Sequence, residues 1–169
     1  LGMSSMILAF TYPFMKRITY WPQLFLGLTF NWGIIMGWTS ITNTMSIEPF
    51  ILYVSAIFWT LGYDTIYGLQ DIKDDEVIGL KSTSIKFKDN IKIFVAGCYF
   101  LCILFLVILA ITMEAKKYFF IFLGIVALHF LYQVKLFKKD NPITCLKAFK
   151  SNNYIGLMIF LNILSLNFF

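Results

Sequence analysis

Five of the nine acidic residues in this chain fall between positions 64 and 76: Asp64, Asp71, Asp74, Asp75 and Glu76. The segment reads Tyr63-Asp64-Thr65-Ile66-Tyr67-Gly68-Leu69-Gln70-Asp71-Ile72-Lys73-Asp74-Asp75. The stretches on either side are oily enough to lie in a bilayer, where ionisable side chains are expensive and point to a site. Carboxylates with no cysteine or histidine among them suit a hard divalent cation such as Mg²⁺. Mg²⁺ takes few carboxylates, keeps several waters and accepts the phosphate oxygens of a substrate. The cluster therefore predicts a metal-bound phosphate or diphosphate, with Lys16, Arg17, Lys73 and Lys81 placed to meet the remaining anionic oxygens. One continuous helix over residues 50–75 would bring Asp64, Asp71 and Asp75 close to a single face. Asp64 would lie a turn or two deeper, beside Tyr63 and Tyr67, where a carboxylate needs a partner.

The elements that must carry these residues are membrane helices. Hydrophobic residues make up 59% of the 169 positions and charged residues 14%, against about 25% charged in soluble domains. Mean hydropathy is +0.77. The pattern predicts an all-α, polytopic membrane helix bundle forming a single domain over 1–169, with about five to six spans. Residues 1–15 read as a partial span, followed by spans near 21–43, 49–70, 94–113, 118–134 and 154–169. Gly27, Gly33 and Gly37 are candidate close-packing positions in the second of these. Lysine and arginine distribution sets an orientation. Twelve of the fourteen basic residues lie in alternate loops, with Lys16 and Arg17, with Lys73 to Lys92, and with Lys135 to Lys150; only Lys116 and Lys117 fall on the other side. That bias predicts a cytoplasmic aspartate loop and a C-terminus outside; the expected setting of this integral membrane protein is the bacterial inner membrane. Lys138 and Lys139 fit orientation and anionic lipids.

Other functions are disfavoured. The net charge of +5 sits in loops flanking apolar spans and forms no stripe, so no nucleic-acid partner is expected. Cys98, Cys102 and Cys145 form no Cys-x-x-Cys or Cys/His set, which argues against zinc and against a disulfide framework. Cys98 and Cys102 read as apolar fillers, His129 as a hydrogen-bonded packing residue, and Asn152 and Asn153 as caps of the last helix.

Two further segments join the aspartate cluster in one pattern. Tyr12-Pro13-Phe14-Met15-Lys16-Arg17 resembles the Tyr-x-x-x-Lys motif of the UbiA superfamily of intramembrane prenyltransferases. Asp71-Ile72-Lys73-Asp74-Asp75, preceded by Tyr63-Asp64-Thr65-Ile66-Tyr67, resembles that superfamily's second aspartate motif, Asp-x-x-x-Asp. Gly79-Leu80-Lys81-Ser82-Thr83-Ser84, Trp21-Pro22-Gln23, Asn31-Trp32-Gly33 and Phe149-Lys150-Ser151-Asn152 are similar to the 4-hydroxybenzoate polyprenyltransferase branch. The resemblance covers essentially the whole chain.

The resemblance implies a bundle of about nine membrane helices, of which this chain supplies the later ones. It implies Mg²⁺ as cofactor and transfer of a polyprenyl group from polyprenyl diphosphate to the ring of 4-hydroxybenzoate, in ubiquinone biosynthesis, among membrane lipids. Asp71, Asp75 and Asp74 are then metal-binding. Asp64, Asp71 and Asp75 are catalytic, and Tyr12, Lys16, Arg17 and Lys81 bind substrate. Asp64 orients Lys16 and Arg17 or the aromatic acceptor. A different acceptor within the superfamily is the runner-up. The superfamily uses two aspartate motifs, and residues 1–169 hold only the second. The expectation is a C-terminal portion of a longer enzyme, a split enzyme whose N-terminal half is a separate polypeptide, or an inactive remnant.

Overall fold

The chain was described as a computed structural model over residues 1–168, with side chains through Leu166. The described residues form ten helices: α1 (Gly2–Ile18), α2 (Pro22–Phe30), α3 (Gly33–Thr42), α4 (Ile47–Tyr67), α5 (Ile72–Ile78), α6 (Thr83–Lys86), α7 (Ile91–Thr112), α8 (Lys117–Leu136), α9 (Pro142–Lys150) and α10 (Asn152–Phe168). Four stretches are long and apolar enough to cross a membrane: Pro22–Thr42, Ile47–Tyr67, Ile91–Thr112 and Lys117–Leu136. The apolar helices α1 and α10, of 17 residues each, flank them. The expected bundle and its approximate span count are thus present. Phe169, the expected end of the last span, lies outside the described residues.

Helix α4 is the most enclosed span, because α2, α3, α7 and α9 all pack on it. Small residues make those approaches possible. A Cβ at Gly62 would come within 2.6 Å of the Tyr99 ring on α7. At Gly27 it would meet the Ile57 carbonyl of α4 at 3.2 Å. Gly33 and Gly37, expected to pack closely as well, face open space.

Two expected helices are broken, each for a local reason. The span at 21–43 divides into α2 and α3 at Asn31-Trp32. There the Asn31 amide donates to the Gly27 carbonyl and to Thr60 Oγ1, both at 2.9 Å, and the ladder tightens to i−3 bonds. Asn side chains compete with the helical ladder in this way. The second break matters more for function. The helix expected to run from residue 50 to 75 ends at Tyr67, with Gly68 as its cap, and the chain turns before α5 begins. Asp64 and Asp71 therefore do not share a helix face.

Helix α5 ends at Gly79, whose φ of 77° is a left-handed conformation that costs other residues strain. The Leu80 N–H then returns to the Asp75 carbonyl at 2.9 Å. This closing turn sends residues 80–84 back across the bundle end.

Candidate active site

Loops at one end of the bundle converge on the tip of α1. The Lys81 N–H donates to the Lys16 carbonyl at 2.8 Å, and Lys81 Nζ donates to the Ile18 carbonyl at 3.2 Å. The α5–α6 strand of chain is thereby stitched to the end of α1. On side chains, Lys16 Nζ lies 3.7 Å from Asp75 Oδ2. Asp75 is almost enclosed, its side chain 10% exposed, whereas Lys16 is 44% exposed and keeps access to the space beyond. The motif on α1 and the motif on α5 therefore meet through these two residues.

The spacings explain which residues join them. Tyr12 and Lys16 are four apart on α1 and share a face. Arg17, one position on, is exposed and makes no ion pair among the described residues. Asp64, near the end of α4, is half-buried, and its charge is felt by both Lys16 and Tyr12. Asp71 stands just before the first residue of α5 with its side chain making no capping bond, and Asp75 follows one turn later, its N–H bonded to the Asp71 carbonyl at 2.9 Å. The Asp-x-x-x-Asp spacing is thus one turn of α5, not a continuation of α4. Asp71 and Asp74 are exposed. The ammonium of Lys81 is held at the Ile18 carbonyl and over the Tyr20 ring, 5.6 Å from its centroid.

A buried polar knot beneath this loop was not read from the sequence. Gln23 Oε1 accepts from the Thr83 N–H at 3.0 Å. Thr65 and Thr83 hydroxyls lie 2.6 Å apart, and Ser84 Oγ donates to the Thr65 carbonyl at 2.7 Å. Ser82 accepts from the Ile85 N–H as the cap of α6. Gln23, Thr65, Thr83 and Ser84 are all buried, so each bond would be costly to lose. A Cβ at Gly68 would sit 2.6 Å from Ser84 Oγ, so a larger residue there would have to displace that hydroxyl. The available signal was a glutamine after Trp21-Pro22 in an apolar stretch, and a Ser-Thr-Ser run too polar for a plain loop.

A cavity of about 480 Å³ opens beside α4 and the start of α10, lined by Trp59, Tyr63, Phe149, Lys150, Asn152 and Gly156 among others. Asn152 accepts from Trp59 Nε1 at 2.9 Å and donates to the Phe149 carbonyl at 2.9 Å. It therefore caps the end of α9 and braces the cavity wall. Phe149 packs on Tyr63 and Tyr67, with ring centroids 5.8 and 4.6 Å apart. His129 is hydrogen-bonded, to Ser151 Oγ at 3.1 Å, and the buried Gln133 joins Tyr99, Ala148 and Ser151. Cys98 and Cys102 are free and buried.

Among the described residues, no three His, Cys, Asp or Glu side chains gather as a ready-made metal cage. The carboxylates present still fit Mg²⁺, which takes one or two of them together with waters and substrate phosphates. Asp75 is enclosed and Asp71 is open to water, so a cation between them would keep part of its hydration.

The sequence profile of the UbiA prenyltransferase family matches residues 1–164. The chain is 43% identical over 166 residues to the mitochondrial 4-hydroxybenzoate polyprenyltransferase of Bos taurus, covering 96% of this chain and 44% of that one. It is 42% identical over 164 residues to the Aedes aegypti protein of the same name, covering 96% and 37%. To the 4-hydroxybenzoate octaprenyltransferase of Francisella tularensis subsp. mediasiatica it is 39% identical over 161 residues, covering 95% and 57%. The chain thus spans roughly half the length of the curated relatives it matches. The solved apo structure of a UbiA homolog from Aeropyrum pernix K1 has the same fold, with a TM-score of 0.83 at 18% identity over 97% of this chain and 62% of that one. With the α1 and α5 motifs joined at one bundle end and the profile running through nearly every residue, the chain belongs to the UbiA prenyltransferase family.

Proposed function

We propose that this chain carries the second aspartate motif of a Mg²⁺-dependent 4-hydroxybenzoate polyprenyltransferase and works together with an N-terminal portion like that of its relatives. The observation that carries this reading is the pairing of Lys16 with Asp75 at 3.7 Å, which joins the two motifs into one anion-facing arrangement. The names of the relatives support a polyprenyl donor and 4-hydroxybenzoate as substrates, and the aspartate and lysine chemistry suits a donor that is a diphosphate.

In the proposed reaction the allylic C–O bond breaks and the diphosphate leaves with the electron pair. A ring carbon ortho to the hydroxyl attacks the prenyl carbon, and the ring then loses its proton. Asp71 and Asp75, with Asp74 beside them, would hold Mg²⁺, which offsets the charge growing on the departing diphosphate. Lys16 is half-exposed beside Asp75 and donates to a diphosphate oxygen. Asp75 fixes that ammonium in place, and the Gln23–Thr83 knot fixes the loop carrying both contacts. Tyr12, one turn from Lys16, orients the substrate from the same face of α1. Asp64 acts on Lys16 through space from the α4 side. Arg17 and Lys81 serve the diphosphate only from the rim. The aromatic wall of Trp59, Tyr63 and Phe149 keeps water from the reacting carbon.

The distribution of basic residues supports an aspartate loop on the cytoplasmic side and a C-terminus outside. The test is prenyl transfer to 4-hydroxybenzoate by this chain combined with an N-terminal portion, with and without Mg²⁺. Transfer that persists fully after Mg²⁺ is chelated would contradict the proposal. So would turnover with homogentisate but none with 4-hydroxybenzoate.

A further inference from the structure

A second cavity, of about 790 Å³, opens between α8, α9 and α10 and shares Lys150 and Asn153 with the one beside α4. Its polar wall is basic. Lys147 and Lys150 come from α9, His129 and Tyr132 from α8, and Asn153 and Tyr154 from the first turn of α10; no carboxylate lines it. The arrangement follows from how α9 sits. Cys145 and Ala148, three apart, are fully buried against the bundle. The lysines at 147 and 150 must then project outward, one turn from each other. Neither enters an ion pair among the described residues. By contrast Lys139 lies in a different cleft beside Asp140 and Glu76, where opposite charges are at hand.

The wall is held in shape from behind. Gln133 of α8 donates to the Ala148 carbonyl at 3.1 Å and to Ser151 Oγ at 2.8 Å. His129 meets the same Ser151 hydroxyl at 3.1 Å. The corner between α9 and α10 is therefore pinned to α8, and the start of α10 adds the positive end of its dipole. Away from this basic end, α8 and α10 present exposed Leu128, Leu157 and Phe160 along their lengths. Tyr132 and Tyr154 stand where the basic wall gives way to the apolar one, a position tyrosines favour at a membrane interface.

We propose that this cavity binds the phosphate headgroup of an anionic membrane lipid, with its acyl chains lying on the exposed faces of α8 and α10. A basic pocket between membrane helices has the chemistry such headgroups require. A zwitterionic headgroup such as phosphocholine carries its own cation beside the phosphate, so it gains less from two unpaired lysines. Lys147 and His129 line this cavity and not the one beside α4, so Lys147→Gln tests the lipid site apart from the prenyl-transfer reading.

The test uses the full chain in detergent, titrated with phosphatidylglycerol or phosphatidylcholine, with bound lipid counted by native mass spectrometry. The wild type retains phosphatidylglycerol in preference to phosphatidylcholine. Lys147→Gln and Lys150→Gln each weaken that retention about fivefold, and the double variant does so on the order of 30-fold. Lys116→Gln, at the other end of α8, leaves it unchanged. Equal retention of both lipids overturns the proposal, as does an equal loss in Lys116→Gln. Competition by soluble glycerol phosphate as strong as by the lipid also overturns it, since the site would then bind free phosphate esters. Should the double variant fail to fold, the two single variants at exposed positions carry the test.

Discussion

At the scale of single residues, the account turns on Lys16 and Asp75. Their separation of 3.7 Å and unequal exposure suggest a division of labour: the enclosed carboxylate fixes, the half-open ammonium acts. Lys16→Gln is expected to lower transfer by about a hundredfold, the scale on which one preorganised donor to a developing negative charge acts. Adding Asp75→Asn should cost less than the two single effects combined, because the residues act as one unit. Steady-state rates of the two single variants and the double variant check this, and strict additivity would separate the residues. The sequence showed Tyr12 and Lys16 through their four-residue spacing. It did not separate Lys16, which meets Asp75, from Arg17, because adjacent residues read alike until a helix phase is known. Cys145 offers a simpler check. It is fully buried, donates to the Lys138 carbonyl at 3.3 Å, and burial pushes its thiol above the ordinary range. Thiolates are the reactive form, so a maleimide should leave Cys145 unlabelled in folded protein, and rapid labelling would refute its placement.

At the scale of elements, the informative feature is the turn between α4 and α5. Apolar periodicity located the spans, since long charge-free runs are their own signal. It misjudged the aspartate segment, because Gly68-Leu69-Gln70 looks compatible with a continuing helix. The turn that follows α4 is packed by distant residues: Ser84 and Gln23 lie where a side chain at position 68 would need space. Gly68→Ala should therefore displace Ser84 from its bond to the Thr65 carbonyl. A destabilisation of about 1–3 kcal/mol is expected, the usual cost of a buried polar group losing its partner. Thermal unfolding in detergent measures it, and an unchanged midpoint would mean the knot is not rigid. The division of α2 from α3 has a similar origin. Asn31 hydrogen-bonds Thr60 on α4, a contact invisible in a local reading.

At the scale of the molecule, the three basic-rich loops gather at one end. Lys81 binds the tip of α1, and Phe149 packs on Tyr67. Alternating loop charge anticipated this, because orientation in a membrane is set by where lysine and arginine fall. Cysteines introduced one at a time at Arg17, Asn90 and Glu114 should accordingly divide, the first two labelling from one face of the membrane and the third from the other. Labelling of all three from one face would undo the topology. The fold was therefore largely legible, while the cooperation of the two motifs needed the return of residues 80–84 across the bundle. Matching relatives extend well beyond this chain's span, which is why catalysis is proposed for it only together with an N-terminal portion. The most direct measurement is Mg²⁺-dependent prenyl transfer to 4-hydroxybenzoate by that combination, comparing wild type with Asp75→Asn. A loss of about a hundredfold or more is predicted, and undiminished transfer by the variant would contradict the account.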